Sequence, residues 1–313
     1  MFGVTPAISL FGIVGNIFSI IILIRHGLNK CSNILLVVLA ANDICFLIGF
    51  NSVPNFLYDL GGPVEGFAYN PQVGFFLFIL HQLFEVMDYG CGAVSLTLPV
   101  LITSERLIAV FLPLQFTQIV TPRRTWCAVV IICVCWYGFF IHMSFLVTLQ
   151  YEFSPASNTS IGLMRRSDYF NDIIEIVPVL ELSMSYLCLK IPPVATFVGC
   201  VTIVIKVKMA SVRRLKITSK SNKASKSNRT TKMLLAVCTM YTMTCGVMSL
   251  PTFLPQYMYY TMTSDAPSNL GRIMYQVMNL ALCINSSWNF IIYVVMNKNF
   301  RKTYWSLFDR KKS

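Results

Sequence analysis

The sequence predicts an all-α protein: a seven-transmembrane helix bundle with a short amphipathic helix on the inner membrane face. The chain is 55% hydrophobic and only 12% charged, which is about half the charged fraction of a soluble domain. Its apolar runs reach the roughly 20 residues that a helix needs to cross a bilayer. Because backbone groups inside a membrane must be satisfied internally, we predict that these runs are helices.

The predicted organisation is one membrane-embedded domain over residues 1–296, followed by a short basic tail over 297–313. In the tail, Phe300, Tyr304 and Leu307 recur at helical spacing, which predicts an amphipathic helix lying on the inner leaflet. The predicted spans cover approximately 4–24, 33–57, 74–108, 125–148, 177–207, 232–259 and 271–296.

The basic residues predict the orientation of the chain. With the amino terminus outside, 21 of the 25 Lys and Arg fall in inner segments or in the tail. The positive-inside rule then places the carboxyl terminus in the cytoplasm. Although the net charge is +12, membrane spans separate the basic residues, so no single surface is predicted to bind nucleic acid.

The outer segments carry acidic residues and a glycosylation sequon. Asn158-Thr159-Ser160 lies on the predicted outer side, so Asn158 is a candidate glycosylation site. The acidic residues predict either a vestibule that attracts cationic ligands or a solvated rim without a specific partner. They are Asp59, Glu65, Glu152, Asp168, Asp172, Glu175, Glu181 and Asp265.

The eleven cysteines predict no extracellular disulfide framework, since none lies in a predicted outer loop. We expect them to behave as small buried hydrophobes. No cleavable signal peptide is expected, and the first span is predicted to serve as the insertion signal. Whether the natural amino terminus is longer stays open.

The third span carries a polar stripe along one face. Asp88 and Arg106 are eighteen positions apart, about five turns and roughly 27 Å of axial rise. Ser95 lies near the same line, and Glu85 is one turn outward of Asp88. A polar stripe facing lipid is costly, so we predict that it faces the interior of the bundle. At its inner end, the adjacent Glu105 and Arg106 indicate function, or an arginine that reaches the headgroups.

Other spans supply polar groups at similar depth. Asp43 in the second span needs a cation, a proton or several donors at mid-membrane depth. Two arrangements remain open: an oxygen-lined sodium site and a hydrogen-bonded network around a protonated Asp43. Lys190, inside the fifth span, either pairs with a carboxylate or extends toward the interface. The candidate sodium pocket consists of Asp43, Ser95, Asn285, Ser286 and Asn289.

These motifs resemble those of rhodopsin-like (class A) G-protein-coupled receptors, across almost the full chain. In their details they look most like invertebrate FMRFamide-type neuropeptide receptors and related nematode chemoreceptors. The details are Glu105 to Val110, Thr121 to Arg124 and Asn285 to Phe290. The shared marks are Asn16, Leu39-Ala40-x-x-Asp43, Glu105-Arg106, Trp136, Pro193, Pro251 and Asn289-x-x-x-Tyr293.

The resemblance implies a plasma-membrane receptor, not an enzyme, which couples an outer ligand to a heterotrimeric G protein. The sixth helix would swing outward at Pro251, Arg106 beside Glu105 would engage the G protein, and Tyr293 would stabilise the open form. Sodium in the pocket would favour the inactive state, and no other cofactor is implied. The candidate ligand contacts are Glu85, Asp88, Tyr89, Glu181 and Asn279.

Several positions depart from the family pattern. His81 stands where the third helix usually carries a disulfide cysteine, and residues 150–180 lack its partner, so the shape of the second outer loop stays open. Ser249 replaces an aromatic residue, and Phe290 replaces a proline. Thr231 stands where many relatives have an acid that restrains the arginine, which predicts a loosely held Arg106 and appreciable basal activity.

The predicted function is a receptor for a short cationic, RFamide-like peptide, anchored by Asp88 and Glu85. A biogenic amine or another small chemosensory ligand is the alternative. A transporter or channel is a more remote one, since we see no internal repeats or paired half-helices. A retinal protein would need a lysine in the seventh span, where Cys283 stands.

Overall fold

The structure is a computed structural model that describes residues 4–59, 66–155, 158–217, 223–254 and 269–308. These ranges are mostly helical and form a bundle, which confirms the predicted fold class. The helices are α1 (Val4–Arg25), α2 (Cys31–Phe50), α3 (Val53–Asp59), α4 (Pro71–Phe111), α5 (Phe116–Ile119), α6 (Pro122–Ser144), α7 (Asp168–Asp172), α8 (Val177–Met184), the π-helix (Ser185–Lys190), α9 (Ile191–Ile217), α10 (Lys223–Phe253), α11 (Asn269–Met296) and α12 (Lys298–Phe308).

Within the described ranges, six helices are long and apolar enough to cross a membrane. They are α1, α2, α4, α6, the continuous segment Val177–Ala210 and α11. Helix α10 occupies the place of the predicted sixth span, and residues 255–259 of that span lie outside the described ranges.

Two predicted spans end earlier than the hydropathy indicates. Helix α2 ends at Phe50 rather than at 57, and a separate helix, α3, follows Asn51 and Ser52. Pro54 accounts for the break, because it has no amide hydrogen to continue the helix ladder of α2. Helix α6 ends at Ser144 rather than at 148, since the chain turns there into a strand that starts at Val147.

Helix α4 lies at the centre of the bundle, where it contacts α2, α6, α9 and α10. Its start is defined by Asn70, whose side chain accepts a hydrogen bond from the Gln72 amide, and by Pro71 in the first turn. The main core joins α1, α2, α4 and α11 through the buried side chains of Ile22, Leu39, Leu98 and Tyr293, among others. The polar face of α4 is therefore enclosed by other helices.

The segment predicted to be the second outer loop forms a β-hairpin, a shape that the sequence prediction left open. Strands β1 (Val147–Ser154) and β2 (Thr159–Arg166) pair antiparallel, and Phe67 adds a further bridge to Gly162. Phe67 exchanges two backbone hydrogen bonds with Gly162, of 2.8 and 3.0 Å, and its side chain is fully buried. The Tyr151 hydroxyl donates to the Pro71 carbonyl at 3.0 Å. Non-covalent contacts thus join the hairpin to the start of α4.

All eleven cysteines lie within the described residues, and each is a free thiol. The hairpin and α4 are therefore joined without the disulfide that the family pattern places there. His81, at the position of the missing cysteine, is buried.

Helix α12 packs against the inner end of the bundle. Phe300 is buried beneath Tyr293, and the ring of Tyr304 contacts the rings of Phe18 and Phe290. His26 Nε2 lies 3.0 Å from the Thr303 hydroxyl, which joins α12 to the end of α1. Burial and the nearby Lys30 lower the pKa of His26. Within this helix Trp305 is exposed, which suits the predicted contact with the inner leaflet.

Candidate transmembrane signalling site

The centre of the site is Asp43, a fully buried carboxylate on α2. Ser95 on α4 donates a hydrogen bond to Asp43 Oδ1 at 3.1 Å, and Asn289 Nδ2 on α11 donates to Oδ2 at 2.9 Å. Ser286, also on α11, adds a third side-chain hydrogen bond. Three helices thus meet at one carboxylate, so its hydrogen bonds join them in the middle of the bundle.

The structure brings together four of the five residues of the candidate sodium pocket. Asn285, the fifth, is half-buried on α11, and among the described residues it is not a hydrogen-bond partner of Asp43. The oxygens of Asp43, Ser95 and Ser286 suit a hard monovalent cation. Asn16 adds an acceptor nearby: its Nδ2 donates to the Ser286 carbonyl at 3.0 Å, whereas its buried Oδ1 has no partner in the part of the chain that the structure describes. These residues therefore fit a small cation.

A second polar cluster, which the sequence analysis did not predict, lies beside the first. Tyr137 on α6 donates its hydroxyl to Asn42 Oδ1 at 2.9 Å, and the same hydroxyl lies 2.9 Å from Cys91 Sγ. Asn42 also bonds to the Val38 carbonyl of its own helix. The asparagine directly before Asp43 was the available signal, because an amide at this depth needs a polar partner. The cluster extends the network from α2 and α4 to α6.

Tyr241 on α10 is another residue that the sequence analysis missed. Its side chain is buried, and its hydroxyl donates to the Leu96 carbonyl on α4. It packs in a core cluster with Ala93, Cys188 and Cys245. This contact fixes the middle of α10 against α4, one residue beyond Ser95.

The inner end of the stripe is held more loosely. Arg106 Nη2 lies 3.8 Å from Glu105 Oε2, and the side chains are 18% and 6% exposed. Among the described residues, neither Glu105 Oε2 nor Arg106 Nε has a hydrogen-bond partner, although both atoms are buried. The contact between the two residues is therefore an ion pair at long range rather than a hydrogen-bonded one. The side chain of Thr231, predicted to face Arg106, lies outside the described residues.

Two further residues predicted to act in signalling occupy defined places. Pro251 is buried and interrupts the hydrogen-bond ladder of α10 near its outer end, because it lacks an amide hydrogen. Tyr293 is almost fully buried on α11, and its ring lies 5.6 Å from that of Phe300. The structure thus connects Tyr293 to α12 and to the main core.

At the outer end, Glu85 and Asp88 lie half-buried on successive turns of α4. Glu85 Oε1 is 3.5 Å from His81 Nε2, so the histidine at the position of the missing cysteine faces a carboxylate. Among the described residues, no Lys or Arg pairs with Glu85 or Asp88, and the Asp88 side chain has no hydrogen bond. Two carboxylates therefore lie about one helical turn apart without a Lys or Arg partner among the described residues.

The other candidate ligand contacts are more widely placed. Tyr89 turns toward α6, where its ring stacks on Phe140 at 5.8 Å. Glu181 and Asn279 are half-buried on α8 and α11. Asn158 is exposed at the tip of the hairpin with a φ of +51°, which asparagine tolerates better than most residues.

Lys190 makes a contact that the sequence analysis did not predict. Its Nζ lies 3.9 Å from the ring centroid of Tyr186, one turn earlier in the π-helix. Within the described ranges no carboxylate forms an ion pair with it. A cation–π contact therefore stabilises this charge at the edge of the bundle.

A helix bundle with a buried carboxylate at its centre and an acid–arginine pair at its inner end is the architecture of a G-protein-coupled receptor. Comparison of the sequence with known protein families leads to the same class of protein. Residues 3–311 match the family described as serpentine type 7TM GPCR chemoreceptor Srw, and the chain belongs to that family. It is thus a multi-pass membrane protein of a G-protein-coupled receptor family.

The chain is also similar to a Drosophila melanogaster protein named FMRFamide receptor. The two are 25% identical over 312 residues, which is 97% of this chain and 53% of that relative. The chain therefore spans about half the length of the relative.

Proposed function

We propose that this receptor binds a short cationic, RFamide-like peptide from outside the plasma membrane and activates a heterotrimeric G protein. The observation that carries the proposal is the pair Glu85 and Asp88, two half-buried carboxylates without a Lys or Arg partner among the described residues. An arginine side chain or an amine supplies the missing charge and several hydrogen-bond donors. The similarity to the FMRFamide receptor supports a peptide ligand.

In this proposal the amino terminus lies outside, and ligand binding shifts the population from a closed to an open bundle. Helix α10 moves at Pro251, Arg106 leaves Glu105 for the G protein, and Tyr293 stabilises the open arrangement. A sodium ion at Asp43 favours the closed arrangement. The long Glu105–Arg106 distance supports a weak restraint on this change.

A small chemosensory ligand is the second candidate, and the chemoreceptor family to which the chain belongs supports it. An amine would use the same carboxylate at Asp88. The two candidates differ in size, because a peptide would extend beyond Asp88 toward Glu181 and Asn279.

The test is a ligand screen in cells that express the receptor, with G-protein activation as the readout. The panel contains the peptide FMRFamide, its free acid, an analogue with the arginine replaced by norleucine, and biogenic amines. We expect activation by the arginine peptides. Response to amines alone would favour the small-ligand candidate, and a potency independent of the arginine would contradict the anchor.

Asp88→Asn then tests the anchor itself. Removing one charge-assisted partner costs about 1.5–3 kcal/mol, so the potency of the arginine peptide should fall about 10- to 100-fold. Glu152→Gln is the matched control, since it removes an outer carboxylate that already pairs with Arg165 at 3.1 Å. Equal losses in the two variants would indicate general electrostatic attraction instead of a specific anchor.

A further inference from the structure

Two consecutive prolines shape the outer half of the fifth span. Pro192 and Pro193 are buried at the start of α9, directly after the π-helix Ser185–Lys190. In an α-helix, the amide of residue 193 would pair with the carbonyl of Leu189. Proline has no amide hydrogen, and its ring also pushes that carbonyl away from the helix axis. The sequence therefore removes the amide that would serve the Leu189 carbonyl in α-helical pairing.

Ser249 on the neighbouring helix α10 supplies a donor. Its hydroxyl oxygen lies 2.9 Å from the Leu189 carbonyl oxygen, and the contact is partly buried. The same hydroxyl lies 2.7 Å from the carbonyl of Cys245, one turn earlier in α10. A serine hydroxyl carries one hydrogen, so it serves one acceptor fully or both in part. Ser249 thus has one acceptor on its own helix and one across the helix boundary.

The contact between Ser249 and the Leu189 carbonyl lies close to the proline inside α10. Ser249 lies two residues before Pro251, where the helix ladder is interrupted, and two turns beyond Tyr241, which bonds to α4. Below it, Cys245 packs against Cys188 in a buried cluster. The Ser249 hydrogen bond is therefore a polar tie between α10 and the π-helix, beside the point where α10 is easiest to bend.

We propose that Ser249 is a positioning residue that holds α10 against the fifth span in the resting receptor. When α10 moves away, the hydroxyl turns fully to the Cys245 carbonyl and its hydrogen bond is retained. The Leu189 carbonyl gives up its hydrogen bond from Ser249, so the polar part of the separation costs only that one bond. The proposal rests on the proposed function, because it assumes that movement of α10 activates the G protein.

The first test measures ligand-independent G-protein activation at matched surface expression. Since a typical hydrogen bond contributes about 0.5–1.5 kcal/mol, Ser249→Ala should raise basal activation about two- to tenfold, whereas Ser249→Thr, which keeps the hydroxyl, should not. Thr242→Val is the control, because the Thr242 hydroxyl donates to the Cys238 carbonyl of its own helix and, among the described residues, to no other helix. An increase of the same size in the control would overturn the proposal.

A double-variant test addresses the cause directly. Pro193→Ala restores an amide that offers the Leu189 carbonyl a backbone donor in α-helical pairing, in competition with the Ser249 hydroxyl. In that background, Ser249→Ala should produce no further rise in basal activation. An undiminished effect would show that Ser249 acts through something other than the Leu189 carbonyl.

Hydrogen–deuterium exchange on the purified full-length receptor in lipid nanodiscs separates this proposal from the proposed function. The amides of residues 246–254 should exchange about two- to tenfold faster in Ser249→Ala than in the unchanged receptor. If no variant signals above mock-transfected cells, the proposed function fails and the exchange result alone decides. Equal exchange in the two proteins would overturn the tie, whatever the signalling result.

Discussion

The carboxylate of Asp43 differs from the outer pair Glu85 and Asp88 both in how deeply it is buried and in how many hydrogen bonds it receives. Asp43 receives hydrogen bonds from Ser95, Asn289 and Ser286, and both its oxygens are occupied. Asp88, by contrast, has no hydrogen bond to its side chain among the described residues, and Glu85 has only His81 at 3.5 Å. An isolated buried carboxylate is costly, so it persists where a ligand or partner supplies the missing interactions. The carboxylate in the middle of the bundle is thus satisfied within the protein, whereas the pair Glu85 and Asp88 is the one that the proposed function assigns to ligand binding.

The outer end also depends on packing where relatives of the class use a disulfide. Phe67 is fully buried beneath the hairpin, so Phe67→Ala should lose about 3–5 kcal/mol of the free energy that docks the hairpin on α4. Limited proteolysis and hydrogen exchange of residues 147–166 report that docking. Phe153→Ala, which removes an exposed ring from the same hairpin, is the control. Unchanged protection in Phe67→Ala would mean that the hairpin is held in another way.

The central network gives the next largest effect. Asp43→Ala leaves Ser95 and Asn289 without their acceptor, so the free energy of unfolding should fall by about 1.5–3 kcal/mol. The thermal midpoint of the purified receptor measures this change. Asp172→Ala, which removes an exposed carboxylate on α7, should leave the midpoint unchanged.

The same measurement tests the sodium site. An ion that binds only the folded receptor raises the midpoint as its concentration rises. We expect NaCl to raise the midpoint more than choline chloride in the unchanged receptor, and equally in Asp43→Asn. A sodium effect that survives in Asp43→Asn would place the ion elsewhere, and no effect in either protein would favour a hydrogen-bonded network alone.

The sequence predicted the helices and the central network well, because both follow from strong physical constraints. Long apolar runs must be helical in a membrane. A carboxylate such as Asp43 at mid-depth must find polar partners, and Ser95 and Asn289 were the polar groups at matching depth. The hydrogen bond from Ser249 to the Leu189 carbonyl was harder to predict, since it depends on how α10 packs against the segment that precedes Pro193.

Other features depend on contacts that periodicity does not encode. The hairpin over 147–166 alternates too weakly to predict its pairing with Phe67, and Tyr137 reads as an ordinary aromatic residue of an apolar span. Phe290 replaces a proline, and its ring packs against those of Phe300 and Tyr304 on α12. A Cβ at Gly15 would lie only 3.0 Å from Cγ of this ring. The small residue in α1 and the large one in α11 fit each other, which only the three-dimensional arrangement reveals.

The inner end gives the smallest expected energy and the most direct test of the account. Glu105 restrains Arg106 at 3.8 Å without hydrogen bonds to Glu105 Oε2 or Arg106 Nε. Because the pair is long and lacks a direct hydrogen bond, we expect Glu105→Gln to cost about 1 kcal/mol or less and to raise basal signalling by no more than about fivefold.

The decisive measurement is ligand-independent G-protein activation by the unchanged receptor, compared with Arg106→Ala and mock-transfected cells at matched surface expression. A loosely held arginine predicts activation clearly above both references, and a further rise in Glu105→Gln. Activation no higher than in the two references would contradict the account of Arg106 as a weakly restrained coupling residue.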